Sequence, residues 1–245
     1  MSSAWLILGA SSAMARAFAR LAAAEGAHVI LAGRDGDDLA LQASDALLRG
    51  AASAQPMQFD ARKPEGFQPL LNALFALDAT PSIAVFSGTM LDQAKLEETP
   101  EALAGMVADN FTGPAQLLLM ALPDMEEKPG GAIVGVSSVS GDRGRRSNFG
   151  YGAPKAGFTT FLSGLRARLS RARVHVLTVK PGFVDTAMTW GLPGLFLVAS
   201  PDAAARRMWR AAKKRRNTVY VPGFWWLIMT IIRHVPEFIF KKMKF

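Results

Sequence analysis

The chain has 245 residues, no cysteine and a formal net charge of +8 at pH 7. This length fits one domain with a substantial core. The absence of cysteine excludes disulfides, thiolate nucleophiles and thiolate metal sites. Three histidines, His28, His175 and His234, are scattered without the spacing of metal ligands, so we expect no metal.

Short apolar runs alternate with helical patterns along the chain. The runs predict strands near residues 4–9, 28–33, 56–60, 82–87, 132–138, 174–180 and 218–222. The patterns between them predict helices near residues 12–25, 36–49, 64–77, 99–108, 111–127, 151–170 and 201–214. Such alternation predicts a single doubly wound α/β domain, with a seven-stranded parallel sheet and helices on both faces.

The first predicted strand runs into a turn of small residues. Residues 5–8 are apolar, and the sequence continues as Gly9-Ala10-Ser11-Ser12-Ala13-Met14-Ala15 before an alanine-rich helix. Free backbone N–H groups and the helix dipole at such a turn attract a pyrophosphate. The turn therefore predicts a dinucleotide site.

The second predicted strand ends at Gly33 and Arg34. An acidic residue at this place binds the ribose 2′-hydroxyl of NAD, whereas an arginine suits the 2′-phosphate of NADP. Arg34 therefore predicts NADP(H) in preference to NAD(H), unless Asp35 turns inward towards the ribose. The alternative is that Arg34 is an ordinary solvated loop residue.

Tyr151 and Lys155 are separated by four positions, and Ser138 stands thirteen residues before Tyr151. Four residues on a helix bring two side chains onto one face. A phenol with a pKa near 10 transfers protons poorly at neutral pH unless a cation such as Lys155 lowers that pKa. The Ser138 hydroxyl could hold a carbonyl or alcohol oxygen. The set predicts proton transfer coupled to hydride transfer, although a Tyr-x-x-x-Lys pair also occurs on ordinary helix surfaces.

These motifs together resemble the short-chain dehydrogenase/reductase family over nearly the whole chain. The resemblance implies a Rossmann-type fold and the catalytic residues Asn110, Ser138, Tyr151 and Lys155. In it Asn110 supports the lysine through a water, Asp60 contacts the adenine, and the segment from Pro181 holds the nicotinamide carboxamide. The implied cofactor-binding residues are Gly9, Ser11, Ser12, Ala13, Met14, Arg34, Asp60, Ser87, Gly88, Tyr151, Lys155, Pro181, Gly182, Val184 and Thr186.

Three departures from the family pattern bear on the cofactor site. Ala13 and Ala15 replace turn glycines, and Ala13 puts a methyl group where backbone should approach phosphate or where a positive φ is needed. The hydroxyls of Ser11 and Ser12 could compensate. Val85-Phe86 replaces the asparagine pair of the N-N-A-G motif. Pro154 precedes Lys155 and fits a helix that begins near Tyr151.

Residues 140–151 and 232–242 are similar to the reductase branch that includes decaprenylphosphoryl-2-keto-ribose reductase. This second resemblance implies a keto-sugar on a polyprenyl phosphate as substrate. Two alternatives stay open: a soluble reductase of a small ketone or alcohol, and a non-catalytic NADP-binding regulator. The intact proton-transfer set favours an enzyme.

The last part of the chain is strongly basic. Residues 201–245 contain eleven lysines and arginines and two acidic residues. We divide the chain into a catalytic domain, residues 1–223, and an apolar and basic extension, residues 224–245.

The apolar run at 224–232 is too short to span a bilayer, which takes about 20 residues. Tryptophans beside cations predict peripheral contact of residues 201–245 with an anionic membrane. The alternative is a subunit interface of a homo-oligomer. Nucleic acid is not expected.

A second apolar stretch follows the predicted nicotinamide turn. Between positions 186 and 200 it contains Met188, Trp190, Leu192, Pro193, Leu195, Phe196, Leu197 and Val198. An apolar loop beside a catalytic site predicts a lid or a lipid-facing surface, with a buried helix as the alternative. No signal peptide is expected. The predicted location is the cytoplasm, at the inner face of the membrane if the extension binds lipid.

Overall fold

The computed structural model describes residues 2–191 and 196–243. Its seven strands are β1 (Ser3–Leu8), β2 (His28–Gly33), β3 (Ser53–Gln58), β4 (Thr80–Val85), β5 (Ala132–Val136), β6 (His175–Pro181) and β7 (Thr218–Val221). They form one sheet in the order β3-β2-β1-β4-β5-β6-β7, with every neighbouring pair parallel. This confirms the predicted Rossmann-type α/β domain, whose strand order reverses between β1 and β4.

The described helices connect these strands. They are α1 (Ala13–Ala24), α2 (Gly36–Leu48), α3 (Phe67–Phe75), α4 (Gln93–Glu98), α5 (Ala102–Val107), α6 (Gly113–Met120), α7 (Leu122–Glu127), α8 (Phe149–Leu169), α9 (Pro201–Lys213), α10 (Trp225–His234) and α11 (Glu237–Phe240). The sequence did not predict α4, which begins where the Asp92 carboxylate accepts the N–H groups of Ala94 and Lys95. A π turn at Ala108–Thr112 joins α5 to α6.

The sheet is covered on both faces, as predicted. One apolar core packs alanine-rich α1, with α2 and α9, on one face. The other core packs α3, α6, α7 and α8 on the opposite face. Phe18 and Phe158 are fully buried representatives of the two cores. The two packed layers hold the carboxyl ends of the strands at one edge of the molecule.

Pro154 lies inside α8, beyond its first turn. The prediction that it occupies the first turn is wrong, because the helix begins at Phe149 and so places Pro154 at its sixth position. A proline there has no N–H to donate and crowds the carbonyl four residues earlier. That carbonyl belongs to Gly150, which has no side chain of its own to add to the crowding.

The C-terminal extension packs on the rest of the domain. Trp225 and Met229 of α10 are buried against Val139 and Tyr220. Among the residues described, no helix is long and apolar enough to cross a membrane. Leu192, Pro193 and Leu195 of the second apolar stretch and Lys244 of the basic tail lie outside the described residues. The division after residue 223 stays a prediction.

Candidate functional site

A cavity of about 850 Å³ opens at the carboxyl ends of the central strands. Its wall contains every residue predicted to bind a cofactor: Gly9, Ser11, Ser12, Ala13, Met14, Arg34, Asp60, Ser87, Gly88, Tyr151, Lys155, Pro181, Gly182, Val184 and Thr186. It also contains residues that sequence reasoning missed, among them Arg16, Thr89, Asp109, Met188 and Thr189. The sheet therefore brings distant segments to one place, as expected for a doubly wound fold.

The turn after β1 is shaped for close backbone approach. Gly9 has a φ of +75°, and a β-carbon built on it would lie 2.7 Å from the Ser87 backbone nitrogen. Only glycine satisfies both conditions. Ala13 is the first residue of α1, and among described non-glycine residues positive φ values occur at Arg173, Leu197 and Arg215. Ala13 is therefore unstrained, so the concern that it needs a positive φ does not apply.

The end of β2 presents an exposed arginine to the cavity. Arg34 lines the cavity wall, whereas the neighbouring carboxylates already have partners. Asp35 accepts the backbone N–H of Asp38 at 3.1 Å and so caps α2. Asp38 forms an ion pair with Arg16 at 2.7 Å. Asp35 is thus held at the start of α2, and both Asp35 and Asp38 also line the cavity wall.

Ser138, Tyr151 and Lys155 meet at the cavity wall. Ser138 ends the segment after β5, and its Oγ accepts the Ser140 backbone N–H at 3.0 Å. Tyr151 and Lys155 project from one face of α8, and both side chains are buried. The Lys155 Nζ donates to the Val136 carbonyl at 3.1 Å and lies 5.8 Å from the Tyr151 ring centroid. The predicted triad is therefore assembled by β5 and α8.

Burial dominates the protonation of this pair. It raises the pKa of Tyr151 to about 12, against a smaller lowering by the hydrogen bond with Ser138. Burial lowers the pKa of Lys155 to about 8. The pKa of Tyr151 therefore moves upward, opposite to the direction expected from Lys155, because burial is the largest cause of its shift.

Asn110 lies on the π turn between α5 and α6, behind the cavity wall. Its Nδ2 donates to the carbonyls of Thr89 at 2.7 Å and Met106 at 2.9 Å. Its Oδ1 is buried and has no hydrogen-bond partner. A β-carbon built on Gly88 would lie 2.5 Å from this Oδ1 and 3.2 Å from the Lys155 Nζ. The Asn110 amide oxygen and the Lys155 ammonium therefore both lie next to Gly88. The amide oxygen can still accept a hydrogen bond.

An ion pair between exposed Arg62 and buried Asp109 braces the π turn. Both oxygens of Asp109 accept from Arg62, at 2.8 and 2.7 Å, and one also accepts the Thr89 hydroxyl. Thr89 in turn supplies a carbonyl to Asn110. The sequence gives no signal for this pair, because Arg62 and Asp109 are 47 residues apart. π turns inside helices often mark functional sites.

Arg143, between Ser138 and Tyr151, holds the C-terminal segment. Its guanidinium donates to the carbonyls of Ile232 at 2.7 Å and Val235 at 2.5 Å, and it pairs with Glu237 at 2.8 Å. It also lies 3.6 Å from the centroid of the Phe240 ring. This one side chain caps the end of α10 and fixes α11. The two segments of the narrower resemblance therefore contact each other.

The neighbouring Asp142 ties the same loop to the sheet. Its carboxylate accepts from the Lys180 ammonium and, at 2.7 Å, from the Tyr220 hydroxyl. Burial, followed by the bond to Asp142, raises the pKa of Tyr220 well above its usual range. Because Asp142 and Arg143 are adjacent, the loop before Tyr151 is fastened to β6, β7 and α10 together.

The comparisons with known proteins agree with this geometry. The sequence model described as short chain dehydrogenase matches residues 3–193. The chain belongs to the short-chain dehydrogenase family. This short-chain dehydrogenase is 32% identical over 239 residues to an uncharacterized oxidoreductase of Mycobacterium tuberculosis, covering 97% of this chain and 96% of the relative. It is also 32% identical over 241 residues to an uncharacterized oxidoreductase of Streptomyces coelicolor, covering 97% and 94%.

Solved structures share the fold of this short-chain dehydrogenase. A short-chain dehydrogenase from Sphingobium yanoikuyae in complex with NADPH superposes with a TM-score of 0.82 at 22% identity, covering 99% of this chain and 96% of that one. Actinorhodin polyketide ketoreductase with NADPH superposes with a TM-score of 0.80 at 22% identity, covering 91% and 97%. Membership of the family makes this chain an NAD(P)-dependent oxidoreductase.

Proposed function

We propose that this short-chain dehydrogenase reduces a carbonyl group to an alcohol with Tyr151 as the general acid. The observation that carries the proposal is the buried set of Ser138, Tyr151 and Lys155 on the wall of the cavity that contains the dinucleotide turn. A non-catalytic binding protein has no need of a buried tyrosine and lysine at this place. Burying an ammonium is costly unless the site uses it.

The residues present fit a nicotinamide dinucleotide. Gly9 permits close backbone approach, α1 directs its N-terminus at the cavity, and the buried Oδ1 of Asn110 has spare acceptor capacity. The pyrophosphate would lie at residues 11–14, the adenine near Asp60, and the nicotinamide between Gly88 and the segment from Pro181 to Thr186. When bound, the cofactor supplies the hydride. Protein side chains supply the proton and hold the substrate.

Each catalytic side chain has one task. Ser138 holds the substrate oxygen with its hydroxyl, and Tyr151 gives that oxygen a proton from a phenol that burial keeps protonated at neutral pH. Lys155 provides a positive charge beside the phenolate that forms and donates to the cofactor ribose. The Asn110 Oδ1 accepts a hydrogen bond from a water that links Lys155 to solvent and replaces the proton. General acid catalysis of this kind contributes about 10²–10⁴-fold.

NADPH is the preferred cofactor in this proposal. It is supported by Arg34, which lies on the cavity wall, and by the partners of the two nearby carboxylates, since Asp35 caps α2 and Asp38 pairs with Arg16. A planar guanidinium binds a phosphate through two parallel hydrogen bonds. Two proteins of the same fold were solved with NADPH, which agrees with this choice.

The proposed substrate is a keto-sugar carried on a polyprenyl phosphate. Support comes from the apolar surroundings of the cavity: Met188 lines it, and Trp190, Phe196 and Leu197 are exposed close by in sequence. An apolar chain attached to the sugar would lie over such residues. The runner-up is a soluble reductase of a small ketone, and the non-catalytic regulator is the third candidate. Self-association into a homo-oligomer is part of the proposal, to be measured by sedimentation velocity.

The experiment is NADPH oxidation by the purified full chain, with the alcohol product identified by mass spectrometry. The panel contains a polyprenyl-phosphate keto-sugar, the same free keto-sugar and small ketones. A kcat/KM for the lipid-linked sugar at least tenfold above the others supports the substrate assignment. Equal kcat/KM values favour the soluble reductase. Cofactor binding without turnover of any member favours the regulator and would overturn the proposal.

A further inference from the structure

The C-terminal helix α10 has apolar side chains on two faces. Trp225 and Met229 point into the domain, where they are buried with Val139 and Tyr220. The other face exposes Trp226, Leu227 and Ile231, which are 60%, 56% and 60% exposed. The inward apolar face explains why α10 packs on the domain. It does not explain why the outward face of the helix is also apolar. Contiguous exposed apolar side chains on a folded protein mark an interaction surface.

Aromatic contacts join the first residue of this helix to the segment beside the catalytic cavity. Phe196 lies 5.7 Å from the Trp225 ring and 5.6 Å from the Phe183 ring, and Phe224 lies 6.0 Å from Trp225. We call the apolar surface the docking face; it consists of Trp190, Phe196, Leu197, Val198, Phe224, Trp226, Leu227, Ile231, Phe238 and Ile239, all of them exposed. Since Met188 lines the cavity, the docking face begins within two residues of the cavity wall.

Charge decides which partner fits the docking face. Arg233, His234, Lys241 and Lys242 are exposed at the end of α10 and beyond it. The acidic residue in this segment, Glu237, is already paired with Arg143. Arg207 of α9 lies against Gly223, at the start of α10, and adds a cation on that side. Tryptophan and aliphatic side chains bordered by cations match the headgroup region of an anionic bilayer.

We propose that the docking face inserts into the surface of an anionic membrane and sets the cavity mouth against the lipid. The docking itself is independent of the reaction. Docking would benefit catalysis by letting a lipid-linked carbonyl substrate pass from the bilayer into the cavity. This benefit rests on the proposed function. Arg143 holds α10 in place relative to the catalytic residues, because it joins the end of α10 to the loop that leads from Ser138 to Tyr151.

The structure narrows the membrane contact predicted from the sequence. That prediction covered residues 201–245 as a whole, but the apolar face of α9 packs on α1 through Ala204, Ala205 and Met208. Its Lys213 pairs with Glu25 of α1. The apolar side chains that could enter a bilayer are instead on α10, on α11 and beside the cavity. Residues 224–243, 188–191 and 196–198 therefore carry the contact.

The test is co-sedimentation of the full chain with vesicles of phosphatidylglycerol and phosphatidylcholine, compared with phosphatidylcholine alone. The apolar variant is Trp226→Ser/Leu227→Ser/Ile231→Ser, and its control is Leu41→Ser/Leu48→Ser, which removes two still more exposed leucines from α2. The charge variant is Lys241→Gln/Lys242→Gln, and its control is Lys63→Gln/Lys95→Gln. NADPH oxidation with a soluble ketone, or cofactor binding if no ketone is turned over, checks that each variant is folded.

The expected result has a distinct pattern. Wild type binds anionic vesicles and binds them only partly less at high salt, because salt screens the charges but does not weaken apolar insertion. The apolar variant loses at least about tenfold in partition coefficient at both salt concentrations, and the charge variant loses roughly tenfold at low salt. Both controls bind like wild type.

Two results would overturn the proposal. The first is that the wild-type protein does not bind anionic vesicles at low salt. The second is an apolar variant that binds vesicles like wild type. If wild type fails to bind and the apolar variant changes the oligomeric state in sedimentation velocity, the docking face is an interface between copies of this chain. Because vesicle binding needs no turnover, its failure is distinguishable from failure of the reductase assignment.

Discussion

The indole ring of Trp225 lies directly on Gly182. A β-carbon built on Gly182 would be 2.0 Å from the Trp225 Nε1, and that nitrogen is buried without a hydrogen-bond partner. Gly182 belongs to the segment that we assign to the nicotinamide, and Trp225 begins α10. The C-terminal helix therefore lies directly behind the cavity wall, where its first residue packs on the segment that lines the cavity.

We expect Gly182→Ala to lower kcat/KM for NADPH by at least about tenfold, because the new methyl group collides with the indole and displaces the segment. Adding Trp225→Leu should restore part of the loss by making room. The measurement is a double-mutant cycle in kcat/KM. Gly164→Ala on α8, where a β-carbon meets nothing within 4 Å, is the matched control. Additive losses in the double variant would show that the contact does not couple the two positions.

Arg34→Ala should reduce the preference for NADPH over NADH by about tenfold or more, because it removes the cation that we assign to the 2′-phosphate. The dissociation constants of both nucleotides, measured for wild type and variant, give the ratio directly. Arg146→Ala, an exposed arginine outside the cavity, should leave the ratio unchanged. An unchanged ratio in Arg34→Ala would remove Arg34 from phosphate recognition.

The reduction rate should fall as pH rises above about 8. Burial lowers the pKa of Lys155 to about 8, so its ammonium is present below that pH and is lost above it. Tyr151, with a pKa of about 12, stays protonated through the same range and does not limit the rate there. The measurement is kcat/KM against pH, which reports the groups of the free enzyme. A flat profile between pH 7 and about 9.5 would contradict this role of the ammonium.

Arg143→Ala should destabilise the protein by roughly 2–3 kcal/mol, because it removes charged hydrogen bonds to two helix-end carbonyls and a partly buried ion pair. Arg168→Ala breaks an exposed ion pair with Glu126 and should cost at most about 0.5 kcal/mol. Denaturant unfolding of both variants gives the comparison. Equal stability of the two would show that Arg143 does not hold the C-terminal segment.

The sequence was sufficient for the fold and for placing the predicted cofactor-binding residues on the cavity wall, for physical reasons. Strand and helix periodicities are local, and parallel strands put Gly9, Gly88, Ser138 and Pro181 at one edge wherever the helices lie. The position of Pro154 was wrong because helix ends depend on capping contacts beyond the local pattern. Asn148, a favoured N-cap residue type, directly precedes Phe149, although its side chain makes no capping hydrogen bond.

Contacts between distant segments could not be predicted from the sequence. Three such contacts join residues tens of positions apart: the Arg62–Asp109 ion pair, the hydrogen bonds from Arg143 to α10, and the contact of Trp225 with Gly182. The same limit applies to the pKa of Tyr151. A helical spacing places Lys155 beside it, but only the packed structure reveals that burial raises the pKa of Tyr151.

The most direct test of the central claim compares wild type with Tyr151→Phe in NADPH oxidation, using a ketone or keto-sugar that wild type reduces. Tyr220→Phe, the change of the other tyrosine in the chain, is the matched control. We expect Tyr151→Phe to lose about 10²–10⁴-fold in turnover with an unchanged NADPH dissociation constant, and Tyr220→Phe to stay within about tenfold of wild type. Full turnover by Tyr151→Phe would contradict the assignment of Tyr151 as the proton donor.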